Sequence, residues 1–362
     1  MHRVLVLGAG KIGSLITTLL ANSGDYQVYL TDIHIDSPHL QKLLTKTQHL
    51  TCIKLDAQNQ TAVSDFLQKN PVDTIISSLP FYCNETIAHL AKQFHLNYFD
   101  LTEDTKTANL VTELSSDVKN AFVPQCGLAP GFISIVANEL MSHFTTLNDV
   151  KLRVGALPAN ICNALHYSLT WSTDGLINEY GNPCQAIVDG KEVDLMPLDD
   201  LEEIMIDGLS YEAFNTSGGI GSLARTWKEK VKNISYKTIR YPGHCEKMRF
   251  LMNDLQLNYD RNTLKHILEK ALPRTTQDVV LVYVSVSGLR DNIYSEENYV
   301  KKFYPKELYG TTWSAIQLTT ASSICAVMDL VVSQPEKYKG FVKQEQFTLN
   351  DFQNNRFGQY YR

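Results

Sequence analysis

The sequence predicts an α/β fold: an N-terminal doubly wound parallel sheet of the Rossmann type, then a mixed-sheet α/β domain, then a C-terminal helix that returns to the first domain. Three observations predict it. Short β-like runs alternate with amphipathic stretches through the first third of the chain, the pattern of βαβ units. The first run opens directly into Gly8-Ala9-Gly10-Lys11-Ile12-Gly13, the glycine spacing that joins a strand to a helix in dinucleotide-binding units. From residue 149 onward the pattern changes to alternating β-like runs with few long helices.

The elements follow in order. Residues 3–7 are an apolar run read as a buried strand, and the helical stretch Ser14 to Asn22 follows the glycines. Further strands are expected at 27–31 (ending at Asp32), 50–55 (ending at Asp56), 74–77 (ending at Ser78-Leu79-Pro80), 98–100 and 121–124. Amphipathic helices are expected between them at 36–47, 59–69, 84–95 and 105–119. In the second domain the β-like stretches are 149–154, 164–171 and 276–287. Thr311-Thr312-Trp313 opens a helical run to Val332, whose small residues suit close helix packing. The domain boundaries drawn on this pattern are 1–127, 128–310 and 311–362.

Composition narrows the function classes. The chain has 362 residues, 44% hydrophobic and 20% charged, with 33 Lys+Arg against 39 Asp+Glu and a net charge of −6. Without a basic excess it lacks the electrostatics of a nucleic-acid binder, so none is expected as a partner. No apolar run reaches the roughly 18 residues expected of a membrane helix, so no membrane association is expected. The opening run lacks a signal-peptide cleavage pattern, and a cytoplasmic protein is expected. Seven cysteines, widely spaced and without a CxxC, argue against a disulfide framework, and the scattered histidines against a metal site.

The glycine motif has specific physics. Gly8 permits the tight turn, Gly10 lets backbone approach a pyrophosphate, and Gly13 lets helix pack on strand. N–H groups of the first helical turn, at Lys11 and Ile12, then face the phosphates. Asp32 lies at the tip of the next strand, 19 residues past Gly13, where a carboxylate accepts hydrogen bonds from ribose hydroxyls and repels a 2′-phosphate. No Arg directly follows it, so NAD is expected over NADP. Asp56 either meets the adenine amino group or is a solvated loop acid. Ser78, Leu79 and Pro80 follow the fourth strand and either line the middle of the cofactor or form an ordinary βα turn.

Several strings carry a family resemblance. Gln125-Cys126-Gly127-Leu128-Ala129-Pro130-Gly131 resembles the interdomain motif of the saccharopine dehydrogenase-like family. The stretch from Thr170-Trp171 through Asp174-Gly175 to Tyr180 resembles the second-domain signature of its L-lysine 6-dehydrogenase branch. So do Thr216-Ser217-Gly218-Gly219-Ile220-Gly221-Ser222-Leu223 and Lys237-Thr238-Ile239-Arg240-Tyr241-Pro242-Gly243-His244. The resemblance implies a Rossmann domain completed by the C-terminal helix, an inserted α/β mixed-sheet substrate domain, and usually a homodimer. It further implies NAD-dependent oxidation of the ε-amine of L-lysine to allysine, which cyclises to piperideine-6-carboxylate. Saccharopine and carboxynorspermidine dehydrogenases are the related alternatives, and a non-catalytic NAD-sensing regulator is the alternative of another class.

Under that resemblance the candidate site residues are few. Asp100, ending the fifth strand, would hold or deprotonate the substrate amine, and Thr102 and Glu103 would orient it or a water; a helix N-cap at Thr102 is the other reading. Tyr82 is a polar group over the substrate or a packing aromatic. Cys126 is a small wall residue near the nicotinamide, because no His adjoins it in sequence. Arg240 and Arg225 are forks for the α-carboxylate, with Arg240 otherwise in a surface ion pair. Tyr241 and His244 share the Arg240 motif. Thr170 and Trp171 wall the aliphatic chain or belong to the core.

Overall fold

The structure is a computed structural model describing residues 1–36 and 49–362; the helix expected at 36–47 lies outside the described residues, but for its first. The chain divides into two compact units, Met1–Leu128 with Thr319–Arg362, and Ala129–Leu318.

The first unit begins with β1 (His2–Leu7), α1 (Lys11–Asn22), β2 (Tyr26–Asp32) and β3 (Leu50–Lys54). It continues with α2 (Gln60–Lys69), β4 (Thr74–Ser77), α3 (Asn84–Gln93), β5 (Asn97–Asp100), α4 (Thr105–Leu114) and β6 (Ala121–Val123). The strands pair in parallel in the order β6-β5-β4-β1-β2-β3. This is the doubly wound sheet expected, and its order reverses between β1 and β4, where such sheets bind ligands. Period-2 alternation sends Leu5, Leu7, Ile75, Tyr98 and Phe122 into one core with Val63 and Phe66 of α2, Ile87 and Leu90 of α3, and Val111 of α4. Helix α1 packs on β1 and β2.

The second unit opens with α5 (Phe132–Met141), β7 (Thr146–Pro158), α6 (Thr173–Gly181) and the hairpins β8 (Cys184–Val188) with β9 (Lys191–Leu195) and β10 (Glu202–Ile206) with β11 (Leu209–Asn215). Next come α7 (Leu223–Trp227), β12 (Val231–Arg240), α8 (His244–Arg249), α9 (Arg261–Ala271), β13 (Asp278–Arg290), β14 (Ile293–Phe303), β15 (Lys306–Leu308) and β16 (Thr311–Trp313). An eight-stranded mixed sheet runs β10-β11-β12-β7-β13-β14, with β8 and β9 joined to it through β12. Only β12 and β7 pair in parallel within it. Asp207, in the β10–β11 turn, and Lys302 of β14 form an ion pair at 2.8 Å, so opposite ends of the sheet curl toward one another. On one face Phe214 joins Leu176 and Tyr180 of α6, Met248 of α8, and Leu264 and Leu268 of α9 in a core; Tyr211, Ile239 and Leu281 form a separate core.

Two stretches depart from the expectations. Residues 164–171 form a loop with one isolated bridge, Leu169 to Arg274, because their apolar side chains fill the α6–α8–α9 core from a coil. Residues 311–313 are strand β16, and helix α10 (Ala315–Ser333) begins where the Asp278 carboxylate accepts from the backbone N–H of Ala315 at 2.6 Å and of Ile316 at 3.0 Å.

The chain re-enters the first unit within α10. At 19 residues this helix is long and apolar enough to cross a membrane, which corrects the expectation that no run reaches that length; 78% of its apolar window is buried, as in the core helix of a folded domain. Its Cys325 thiol points at the Ile16 carbonyl of α1. Asp329 accepts from Tyr26 Oη at 2.6 Å and from Asn355 and Arg356 of the tail, clasping β2, α10 and the C-terminal segment together. That tail adds β17 (Gly340–Phe341), parallel to β6, and α11 (Leu349–Asn354).

Candidate active site

The turn after β1 has the geometry its glycines foreshadow. Gly8 sits at φ +95°, a region L side chains avoid. A Cβ on Gly13 would lie 1.9 Å from the Gly8 carbonyl oxygen, so only glycine lets α1 start this close. A Cβ on Gly10 would meet nothing within 4 Å. Helix α1 has no side-chain N-cap and no acid in its first turn, so its own first turn brings no carboxylate to the positive end of its dipole. Lys11 is exposed and Ile12 half-buried on that turn. Open space over Gly10 beside an uncapped helix start fits a pyrophosphate.

Asp32 ends β2 next to this turn. Its carboxylate accepts from Ala9 N–H at 2.7 Å and His34 N–H at 2.9 Å, which fixes it beside the glycines while leaving it partly exposed. Asp56 is exposed and accepts from Gln58 N–H at 2.9 Å, the pattern of an Asx turn. The Ser78 hydroxyl donates to the Leu7 and Gly8 carbonyls at 2.9 and 3.0 Å. Ser78 therefore braces the turn at the β1–β4 crossover. Leu79 packs against Gly8, and Pro80 is exposed where the next helical turn starts.

Asp100 differs from the expectation most. It is 0% exposed, and its carboxylate takes three donors: Tyr98 Oη at 2.7 Å, Gln125 N–H at 2.9 Å and Thr102 N–H at 3.0 Å. Burial raises its pKa, and the three hydrogen bonds pull the other way. Asp100 thus ties together the turns after β5 and β6, and the role expected for it at a substrate amine is corrected. Thr102 is buried too, its Oγ1 accepting from Asp104 N–H at 3.1 Å, so the amine-orienting role expected for it is corrected as well; the α4 N-cap is Asp104. Cys126 is fully buried with its thiol donating to the Val123 carbonyl at 3.0 Å, and burial pushes its pKa well up, as for a wall residue. Of the ionisable side chains just after β4 and β5, Tyr82 is exposed and Glu103 and Asp104 are half-buried, Asp104 being taken up as the α4 N-cap.

The second unit holds a buried cation. Three of its basic side chains are buried: Arg153, Lys237 and Arg240. Arg153 and Lys237 both pair with Glu202, and Lys237 also with Asp200. Arg240 makes no ion pair with a described residue. Its Nε donates to Tyr180 Oη at 2.7 Å and its Nη1 to the Ile239 carbonyl at 2.8 Å, and it lies over the Tyr167 ring at 5.2 Å. Burial disfavours its charge, but the Tyr180 and Tyr167 phenols and the Glu179 carboxylate outweigh that and hold it charged. A buried cation without a direct ion pair is costly, and a carboxylate ligand would supply one.

The neighbours sort by strand periodicity. Tyr241 follows Arg240 and so faces the other way: it stacks on Tyr211 at 5.8 Å and donates to the Pro158 carbonyl at 3.0 Å. That removes it from the expected carboxylate site. Arg225 is exposed on α7, not buried with Arg240. Trp171 Nε1 donates to Tyr167 Oη at 3.2 Å, and its ring packs on Gly175, so it joins the Arg240 cluster through Tyr167. Thr170 is buried beside it. His244 is fully buried with both ring nitrogens engaged, by Tyr180 Oη at 3.1 Å and the Leu165 carbonyl at 2.8 Å, which corrects its expected contact with substrate.

Burial, then the charge of Arg240, lower the His244 pKa to about 3. Neutral imidazole is therefore favoured in the native state, and this stability, complete above pH 6.5, is lost as pH falls from there toward 3. Melting of the protein should drop across that window by up to about 1.4 kcal/mol per pH unit from this group. His244→Gln should flatten the dependence; an unchanged slope would assign it to other groups.

Two family models match the chain. "Saccharopine dehydrogenase NADP binding domain" covers residues 4–123, and "Saccharopine dehydrogenase C-terminal domain" covers 127–357. The chain belongs to the saccharopine dehydrogenase family. Among curated relatives, mouse mitochondrial alpha-aminoadipic semialdehyde synthase is 21% identical over 301 residues, covering 79% of this chain and 31% of that protein. Saccharopine dehydrogenase [NADP(+), L-glutamate-forming] of Pyricularia oryzae is 22% identical over 289 residues, covering 76% and 62%. The chain thus spans about a third of the mouse relative's length. Among solved structures, apo saccharopine dehydrogenase (L-Glu forming) from Saccharomyces cerevisiae superposes with TM-score 0.75 at 16% identity, covering 95% of this chain and 94% of that one. Homospermidine synthase from Legionella pneumophila in complex with NAD gives 0.66 at 14%, covering 99% and 89%. These likenesses show the fold.

For a saccharopine dehydrogenase-family chain, sequence reasoning missed two residues of the Arg240 cluster. Tyr180 lies 60 residues before Arg240, and only the fold joins them. Glu212, opposite Arg240 in the β11–β12 register, accepts from Gly243 N–H at 2.8 Å and Cys245 N–H at 2.6 Å and so sets the turn that presents His244. A lone acid inside the apolar strand LSYEAFN was the available signal.

Proposed function

We propose that this chain is an NAD-dependent oxidoreductase that oxidises the ε-amine of L-lysine to allysine and ammonia. The observation that carries the substrate half is Arg240, the one buried cation of the second unit without an acidic partner among the described residues. One uncommitted guanidinium matches one α-carboxylate. The cofactor half rests on the open, uncapped α1 start beside Gly10 and on Asp32. The nicotinamide, when bound, accepts the hydride that leaves the carbon next to the amine, and water hydrolyses the resulting imine.

The chain's own residues would do the rest. The N-terminal turn of α1 would hold the pyrophosphate, and Asp32 the adenosine ribose hydroxyls. Arg240 would anchor the substrate carboxylate, and Trp171 and Tyr167 would flank its aliphatic chain. The amine must lose a proton before it gives up hydride. With Asp100 committed to its three donors, that proton falls to Glu103 or Tyr82.

Saccharopine is the second reading, favoured by the names of both family models and of the relatives. It carries more carboxylates than lysine and would need further cations. The test is absorbance at 340 nm with NAD or NADP against L-lysine, saccharopine and carboxynorspermidine in parallel. The proposal expects reduction with NAD and L-lysine. Reduction with saccharopine alone overturns the substrate, and silence in every well leaves the cofactor-sensing alternative. Repeating the active well across pH separates a carboxylate limb from a phenol limb.

Asp32→Ser tests the cofactor choice. Losing the ribose hydrogen bonds should weaken NAD by roughly 1–3 kcal/mol and leave NADP little changed. Equal losses for both would show that Asp32 does not discriminate.

A further inference from the structure

The Arg240 guanidinium is one end of a directional chain of hydrogen bonds. Its Nε lies 2.7 Å from Tyr180 Oη, Tyr180 Oη lies 3.1 Å from His244 Nε2, and His244 Nδ1 lies 2.8 Å from the Leu165 carbonyl. Arg240, Tyr180 and His244 are each at most 2% exposed. One proton arrangement satisfies all three links. A carbonyl only accepts, so Nδ1 carries the imidazole proton and Nε2 of the neutral ring is bare. Tyr180 must then donate to Nε2, which turns a lone pair of its oxygen toward Arg240 Nε.

Alone, a tyrosine hydroxyl is a rotor whose proton can swing toward the cation. His244 removes that freedom. The rings are themselves held: His244 lies parallel to Phe214 at 6.2 Å, and the guanidinium rests on the Tyr167 ring. Arg240 Nη2 makes no hydrogen bond to a described residue, so the fixed guanidinium keeps one edge for a ligand. Arginine ordinarily loses rotamer freedom when it is immobilised, and a side chain fixed beforehand does not lose it on binding.

We propose that Tyr180 and His244 are positioning residues of the carboxylate site: they fix the plane of Arg240 for the substrate's α-carboxylate and touch no substrate themselves. The proposal deepens the amino-acid reading above and rests on it. It predicts a defect confined to substrates that bear the carboxylate.

The test compares KM and kcat for L-lysine, saccharopine and 1,5-diaminopentane, an amine without a carboxylate, in the full-length protein with its cofactor. Tyr180→Phe keeps the ring and its packing. It should raise KM for the amino acid by about tenfold with little change in kcat, and change KM for the diamine by less than about twofold. His244→Leu should behave alike, while His244→Gln, whose amide oxygen can accept from Tyr180, should restore most of the affinity. Equal shifts for amino acid and diamine, or none in Tyr180→Phe, would overturn the relay, as would no difference between the two His244 variants. If Arg240→Ala fails to move the amino-acid KM in the same assay, the carboxylate reading beneath falls as well; a shift there with wild-type behaviour in Tyr180→Phe overturns the relay alone.

Discussion

Arg240→Ala should raise KM for the amino-acid substrate roughly 100-fold, the loss of charge-assisted hydrogen bonds worth about 1.5–3 kcal/mol. The guanidinium is buried, charged and without an ion-pair partner among the described residues. Truncation also frees Tyr180 Oη from its 2.7 Å donor, but leaves that hydroxyl its contact with His244. Unfolding should therefore not mask the kinetic effect. NADH affinity, followed by fluorescence, should stay near wild type, because the glycine turn and Asp32 belong to the other unit. An unchanged KM would place the substrate carboxylate elsewhere.

Gly10→Ala and Gly13→Ala should separate cofactor contact from packing. At Gly13 a Cβ would stand 1.9 Å from the Gly8 carbonyl oxygen and 2.5 Å from Ser78 Oγ. The turn must then shift, at a cost of about 1–3 kcal/mol or more for overpacking, and both melting temperature and cofactor affinity should fall. At Gly10 the backbone is at φ −67° and the new methyl meets nothing, so the fold should melt as wild type. Yet that methyl would occupy the space through which backbone approaches a pyrophosphate, and NADH affinity should drop by about tenfold or more. A Gly10 variant that binds NADH normally would remove the pyrophosphate from this turn.

The first unit was legible because its signals are local. Strand, glycine turn, helix and Asp32 lie within 32 residues, and the parallel order follows from βαβ connections. The second unit resisted because its pairings are distant: Leu147 of β7 pairs with Val231 of β12, and the cap on α10 comes from Asp278, 37 residues before Ala315. Asp100 was misread for the same reason. A strand-end acid reads as ligand-facing, but one of its donors is the Gln125 N–H, 25 residues on, in a turn whose position only the sheet determines. Arg240 was legible as a basic residue in a recognisable string; that Tyr180 and His244 hold it was not.

The most direct test of the proposed reaction is product stoichiometry with L-lysine and NAD. Oxidative deamination predicts one ammonia released for each NADH formed, with a carbonyl product trapped by hydrazine. No NADH from L-lysine, together with glutamate released from saccharopine as nicotinamide is reduced, would contradict it.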